Sequence, residues 1–145
     1  MSKRINILDE SSALYKAMIN LEMTLQTTSL TNIQKELIKT RASQINQCAF
    51  CLDMHTKDAV KYGETPQRIY LLNAWRETNL FTEEEKVILA ITEEVTLISQ
   101  KGLTDETYGK ATQFFDEDQI KSIIMAVITI NMWNRIAIST NLQVS

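Results

Sequence analysis

The sequence predicts an all-α protein, a compact bundle of about six to seven helices forming one domain over residues 1–145. Three observations point there. Apolar residues recur at three- and four-residue steps along almost the whole chain, the period of a helix face. Breakers are scarce, with three glycines and one proline, whereas a β-sandwich or barrel needs many tight turns. Helix-start signatures, a Ser, Thr or Asp followed three residues later by Glu or Gln, recur along the chain. No linker, low-complexity tract or internal repeat divides it.

Leu14, Met18, Leu21 and Leu25 mark the first helix, opened by Ser11 or Ser12 as a cap. Thr31 with Gln34 has the form of a capping box and starts a helix carrying Ile33, Leu37, Ile38 and Ile45. A third helix is expected from about Cys48 to Gly63, a residue suited to the left-handed conformation past a helix end. Thr65 and Pro66 form a cap with proline at the first helical position, leading a helix that carries Ile69, Leu72 and Trp75. Thr82 with Glu85 opens another, through Val87, Ile91, Val95 and Ile98, stopping near Gly102. A shorter helix is expected from about Asp105 to Phe115. Asp116 and Gln119 then start a long one through Ile120, Ile123, Val127, Trp133 and Ile136. Its middle, "IIMAVITI" (Ile123 to Ile130), is apolar nearly all round. That predicts burial on several sides and an extra apolar face against another subunit.

Apolar residues make up 44% and charged residues 23% of the chain, as in ordinary soluble domains. The formal net charge is −3 and the isoelectric point about 5.2. With no dense Lys/Arg cluster, nothing here attracts a nucleic acid. The longest apolar run, Ile123 to Ile128, is too short to span a bilayer. "MSKRINILDE" has basic residues but no apolar stretch behind them, so it does not read as a signal peptide. We therefore expect a cytoplasmic protein with no membrane partner. In that compartment two cysteines point to redox or metal chemistry more than to a permanent staple.

"NQCAFCLDMHTKD", Asn46 to Asp58, holds both cysteines and the only histidine. In a helix each residue advances about 100°, so Cys48, Cys51 and His55 share one stripe, with Cys51 and His55 neighbours at four residues. A C-x-x-C pair opening a helix meets free N–H groups and the positive end of the macrodipole, which favour thiolate. The spacing lets the sulfurs meet in a small disulfide ring, and His55 can exchange a proton with Cys51. Two other readings compete. The cysteines can be packing residues, since free cysteine is among the most buried types. They can also bind a metal with His55, but a closed zinc site needs a fourth ligand, which Asp53, Asp58 or Glu36 would have to supply.

The stretch "ELIKTRASQINQCAFCLDMHTKDA" resembles the alkylhydroperoxidase D and carboxymuconolactone decarboxylase superfamily, most closely its small peroxidase-related members. The family pattern is a glutamate, C-x-x-C twelve residues on, then a histidine four beyond the second cysteine; here these are Glu36, Cys48, Cys51 and His55. "GETPQRIYLLNAWRE", "TEEEKVILAITEEVT" and "NMWNRIAIS" resemble further family blocks in their usual order. The resemblance implies an all-helical fold, homo-oligomers such as trimers or hexamers, and thiol peroxidase activity. It implies a small-molecule peroxide as substrate, a dithiol as electron donor, and no haem, flavin or metal cofactor. By position it makes Cys51 the attacking thiol and Cys48 the resolving one, closing a redox-active Cys48–Cys51 disulfide, with Glu36 and His55 as a proton relay. Helix position alone favours Cys48, which lies nearer the N-terminus. A histidine one turn from Cys51 can outweigh a dipole worth about 0.3–1 kcal/mol.

Two departures bear on this. Alkylhydroperoxidase D proteins commonly carry a further histidine between the cysteines, where this chain has Phe50, so the relay is expected to be simpler. The decarboxylase branch lacks the redox pair, and Cys48 and Cys51 count against it. The rivals are a non-enzymatic dithiol sensor or oligomeric binding module, and a decarboxylase or isomerase using Glu36 and His55 as acid and base. Without the family pattern Glu36 reads as a solvated helix residue. "EEEK" (Glu83 to Lys86) reads as a charged first turn, and Trp75, Trp133 and the six methionines as packing or interface residues. Arg135, within an apolar helix, is expected to find a partner in a structural or interface salt bridge rather than to bind substrate.

Overall fold

The computed structural model describes residues 4–145; Met1 to Lys3, the start of the stretch weighed above as a signal peptide, lie outside them. The described residues contain nine helical segments and no strand. They are α1 (Ala13–Gln26), α2 (Asn32–Ile45), α3 (Ala49–Lys61), α4 (Pro66–Tyr70), a 3-10 helix (Leu72–Glu77), α5 (Glu83–Thr96), α6 (Ile98–Lys101), α7 (Asp105–Phe114) and α8 (Glu117–Thr140). Six of them have ten or more residues. The caps stand where the sequence places them. Ser12, Thr31, Thr65, Thr82 and Asp116 each accept a backbone N–H from three residues on, and Thr31, Thr82 and Asp116 form complete capping boxes. Each cap is worth typically about 1 kcal/mol.

The two extra segments come from predicted helices that break. The helix through Ile69, Leu72 and Trp75 divides at Leu71 into α4 and the 3-10 helix. The second segment is itself kinked at Ala74, whose backbone is non-helical. Leu72 and Trp75 enter one core cluster together, beside Leu37, Phe81 and Leu89, while the Trp75 indole N–H donates to Glu93 at 2.7 Å. The helix predicted to run through Ile98 breaks at Leu97, and Ile98 leaves the core, more than half exposed. The chain turns back there because Glu94 accepts both the Thr104 N–H and the Thr107 hydroxyl at 2.8 Å. The expected stripe of α1 holds at Leu25, buried, and at Met18 and Leu21, half-buried, but not at its first residue. Leu14 is exposed, and Tyr15 meets Trp133 edge to face at 6.4 Å.

Helix α2 packs on α3, α5 and α8. Ile38, Ile88, Ile91, Ile123 and Val127, all fully buried, form the centre of the main core. The middle of α8 is buried as predicted on one side only, with Met125 and Ile128 remaining open. Among the described residues α8 is the one helix long and apolar enough to cross a membrane, but half of its most apolar window is buried inside the fold. Arg135 makes no salt bridge within the chain among the described residues, where it donates to the Asn131 backbone and side-chain oxygens.

Two ion-pair networks hold the α4 region against α5. Arg68 donates to Glu64, to Glu85 and to the Leu80 carbonyl, with its guanidinium 4.5 Å over the Phe81 ring. Glu93 accepts from Trp75, Arg41 and Arg76. Burial pushes the Glu93 carboxyl up, but the hydrogen bonds from Arg76, Trp75 and Arg41 together hold it below the usual carboxylate range.

Candidate active site

The dithiol is positioned by the junction of two helices. Helix α2 ends at Asn46, and Gln47 takes the left-handed conformation at φ 56°. The Gln47 N–H bonds the Gln44 carbonyl and the Cys48 N–H bonds the Ser43 carbonyl at 3.0 Å, the paired bonds of a Schellman ending. A non-glycine residue at positive φ is strained, and an amide network braces the turn. Asn46 donates to Asn131 and Asn134 of α8, each at 2.9 Å, and the fully buried Asn134 donates to Ser43. Cys48 then caps α3, its sulfur accepting the Cys51 N–H at 3.3 Å. Cys48 thus belongs to the ends of both helices, which leaves it little freedom.

Cys48 and Cys51 are joined by a disulfide with Cα atoms 5.3 Å apart, and both are buried. The single stripe expected for the three groups holds only in part. As an extended cap residue Cys48 precedes the helical stripe and borders a cleft beside Ala137, Leu142 and Val144 of the C-terminal segment. Cys51 stays on the helical face with His55, and the two open onto a different cavity, of about 480 Å³. Its walls are mostly apolar and include Tyr15, Ile19, Phe50, Met54 and Trp133.

Glu36 enters that cavity from α2. It is 5% exposed, not solvated as its type alone would predict, and its Oε2 lies 3.1 Å from His55 Nδ1. A carboxylate at Nδ1 fixes that nitrogen as the proton donor and leaves Nε2 as the basic one. Lys39, one turn beyond Glu36, stands 3.6 Å from it and 3.0 Å from Glu22, whose other oxygen accepts the Trp133 indole N–H. Lys35 also lines the cavity and donates to the Gln26 carbonyl; burial and the adjacent Lys39 pull its ammonium below the usual lysine range. The structure thus brings Glu36, Cys51 and His55 to one cavity and sets Cys48 behind Cys51.

Of the three candidate fourth ligands, Asp53 pairs with Lys57 at 2.8 Å, whereas Asp58 joins Glu36 and His55 in the cavity wall. Glu22, Lys35 and Lys39 also shape the site but went unnoticed in the sequence reading. Helical register marks one of them, since Lys39 is three residues after Glu36. Glu22 comes from a helix distant in sequence and left no local signal.

A helical bundle with a buried dithiol at a helix start and a carboxylate–histidine pair beside it defines an alkylhydroperoxidase D-like protein. The chain belongs to the carboxymuconolactone decarboxylase family, which it matches over residues 12–94. It is 42% identical over 139 residues to the uncharacterised protein YdfG of Bacillus subtilis (strain 168), covering 96% of this chain and 95% of that one. A solved protein of unknown function from Agrobacterium tumefaciens, assigned provisionally to AhpD-type antioxidant defence, superposes with a TM-score of 0.94 at 38% identity, covering 99% of each chain. The debrominase Bmp8 superposes with a TM-score of 0.80 at 16% identity over 91% of this chain and 71% of that one. At that identity only the fold is shared, and the fold carries more than one chemistry.

Proposed function

We propose that the protein is a thiol-dependent peroxidase that reduces hydrogen peroxide or organic hydroperoxides through a Cys48–Cys51 dithiol/disulfide cycle. The observation that carries this reading is the division of the two sulfurs: Cys51 faces the cavity with His55 and Glu36, and Cys48 lies behind it. In the reduced protein His55 takes the Cys51 proton and the thiolate attacks the O–O bond. One peroxide oxygen stays on sulfur as a sulfenic acid. The other leaves as alkoxide or hydroxide and takes the proton back from His55. The Cys48 thiol then attacks the Cys51 sulfur, forming the disulfide and releasing water. A dithiol donor returns the two electrons and two protons by exchange. Glu36 holds the imidazole in orientation and offsets its charge while it is protonated. The protein acts in the cytoplasm as a homo-oligomer, trimer or hexamer, with the open α8 face around Met125 and Ile128 as the contact.

The test is peroxide consumption by the full-length protein with a panel of dithiol donors. Many turnovers per subunit are expected; oxidation that stops at one equivalent would make the dithiol a sensor. Glu36→Gln keeps the shape and loses the charge, and its kcat/KM should fall about 100-fold or more. An unchanged rate in a folded Glu36→Gln protein rejects the relay. Light scattering should report an oligomer at micromolar concentration, and a Met125→Glu/Ile128→Glu protein should shift to the monomer. A monomeric wild-type protein would exclude α8 as an interface.

A further inference from the structure

We propose that Glu36, His55 and Asp58 form a binding site for a zinc-class divalent cation, which the Cys51 thiolate completes when the disulfide is reduced. One ligand atom from each of the three residues lies within 4.8 Å of the others. A zinc ion sits about 2.0–2.2 Å from nitrogen and oxygen ligands, so the three atoms need close by only about an ångström to share one. Two of the residues are held in place. Glu36 and His55 are 5% and 7% exposed, and each is fixed by the other across the α2–α3 contact. The proton now shared between Nδ1 and Oε2 is what a cation would displace.

The charges of the cavity leave room for a cation. Its wall carries three carboxylates, Glu22, Glu36 and Asp58, against two ammonium groups, Lys35 and Lys39. Lys39 serves Glu22 and Glu36, and Lys35 is spent on the Gln26 carbonyl. Among the described residues the Asp58 carboxylate has neither a hydrogen bond nor an ion pair; only the backbone carbonyl of that residue accepts, from the Tyr62 N–H. Cys51, His55 and Asp58 stand at positions i, i+4 and i+7 of α3, consecutive turns of one face, and Cys51 borders the same cavity. An imidazole, two carboxylates and a thiolate suit zinc; magnesium and calcium prefer all-oxygen shells. In the disulfide form Cys51 cannot ligate, so affinity depends on the redox state. An occupied site would hold both the attacking thiol and its base, and zinc would then inhibit the reduced protein.

This inference rests on the same pocket as the peroxidase reading but not on its chemistry, and its test contains no peroxide. Full-length protein, reduced with a phosphine or left oxidised, is titrated with zinc against a chromogenic zinc indicator. The reduced protein should bind one equivalent per chain, at least about tenfold more tightly than the oxidised protein. Asp58→Asn should weaken binding to the reduced protein at least about tenfold, and Asp53→Asn should leave it unchanged. With cadmium or cobalt, reduced wild type and Cys48→Ser should show thiolate-to-metal charge-transfer absorption, and Cys51→Ser should lack it. Circular dichroism confirms that each variant is folded. Failure to saturate, wild-type affinity in Asp58→Asn, or charge transfer that follows Cys48 overturns the site. Absence of peroxide turnover in the zinc-free protein, with zinc binding intact, would reject the peroxidase reading alone.

Discussion

Cys51→Ser is expected to lose the fast reaction with peroxide, while Cys48→Ser reacts once and stops. The asymmetry comes from what each sulfur faces. Cys51 lines the cavity that holds His55 and Glu36, whereas Cys48, the cap of α3, lines the cleft beside the C-terminal segment. With residue 48 as serine, no second thiol condenses with the sulfenic acid, so the intermediate accumulates at Cys51 and can be trapped. With residue 51 as serine, the remaining thiol has the helix terminus but no base in its own cleft. Its rate should drop toward that of free cysteine. His55→Ala keeps both thiols and should need a higher pH for the same rate, because the local proton acceptor is gone. Sulfenic-acid trapping with mass spectrometry on each single variant reads all of this. A sulfenic acid on Cys48 in Cys51→Ser, formed at the wild-type rate, would reverse the roles and make the dipole the stronger influence.

Arg68→Ala should be the most damaging substitution outside the dithiol, through stability. The Arg68 guanidinium reaches Glu64 at 2.7 Å and Glu85 at 2.8 Å, bonds the Leu80 carbonyl and covers Phe81. Glu64 is buried at 7% exposure, and without Arg68 its charge keeps only the Thr65 N–H and no cation. Breaking a buried pair by removing one member costs about 3–5 kcal/mol. For a chain of this size that lowers the melting temperature by roughly 10 °C. Glu85 also closes the capping box of α5, so the loss reaches a core helix. The contribution of the pair to the wild-type protein is smaller than the cost of breaking it, because desolvation offsets much of the attraction. Replacing Arg68, Glu64 and Glu85 together by Met, Leu and Gln should recover most of the loss. Thermal unfolding of the two proteins decides it: an Arg68→Ala protein melting within 2 °C of wild type would show the network to be solvated.

Features set by a few adjacent residues were legible in the chain. Capping boxes act over three residues, so Thr31–Gln34, Thr82–Glu85 and Asp116–Gln119 mark helix starts wherever they occur. Gly63 ends α3 at φ 99°, as its type predicts. The Cys51–His55 relation follows from α-helical register alone. The place of Glu36 was different, because nothing in its neighbourhood marks it as buried. The family pattern singled it out, and only the α2–α3 packing put it 3.1 Å from His55.

By itself the sequence determined the helical class, the helix starts, and the meeting of two thiols and an imidazole at one helix end. These rest on hydrogen bonds and side-chain contacts within one or two turns, whose energies do not depend on the rest of the molecule. Tertiary structure decided where helices yield. A run with unbroken periodicity still breaks at Leu71 and kinks again at Ala74, where Trp75 bonds Glu93 and joins Leu72 in one cluster. It breaks again at Leu97, where Glu94 draws Thr104 and Thr107 back. Tertiary structure also decided which sulfur faces the cavity. The Schellman turn at Gln47, braced by Asn46, Asn131 and Asn134, leaves Cys48 extended at the start of α3, where it lines the cleft beside the C-terminal segment. That choice depends on amide groups 85 and 88 residues apart in sequence, and such contacts exist only once α8 is packed against α2.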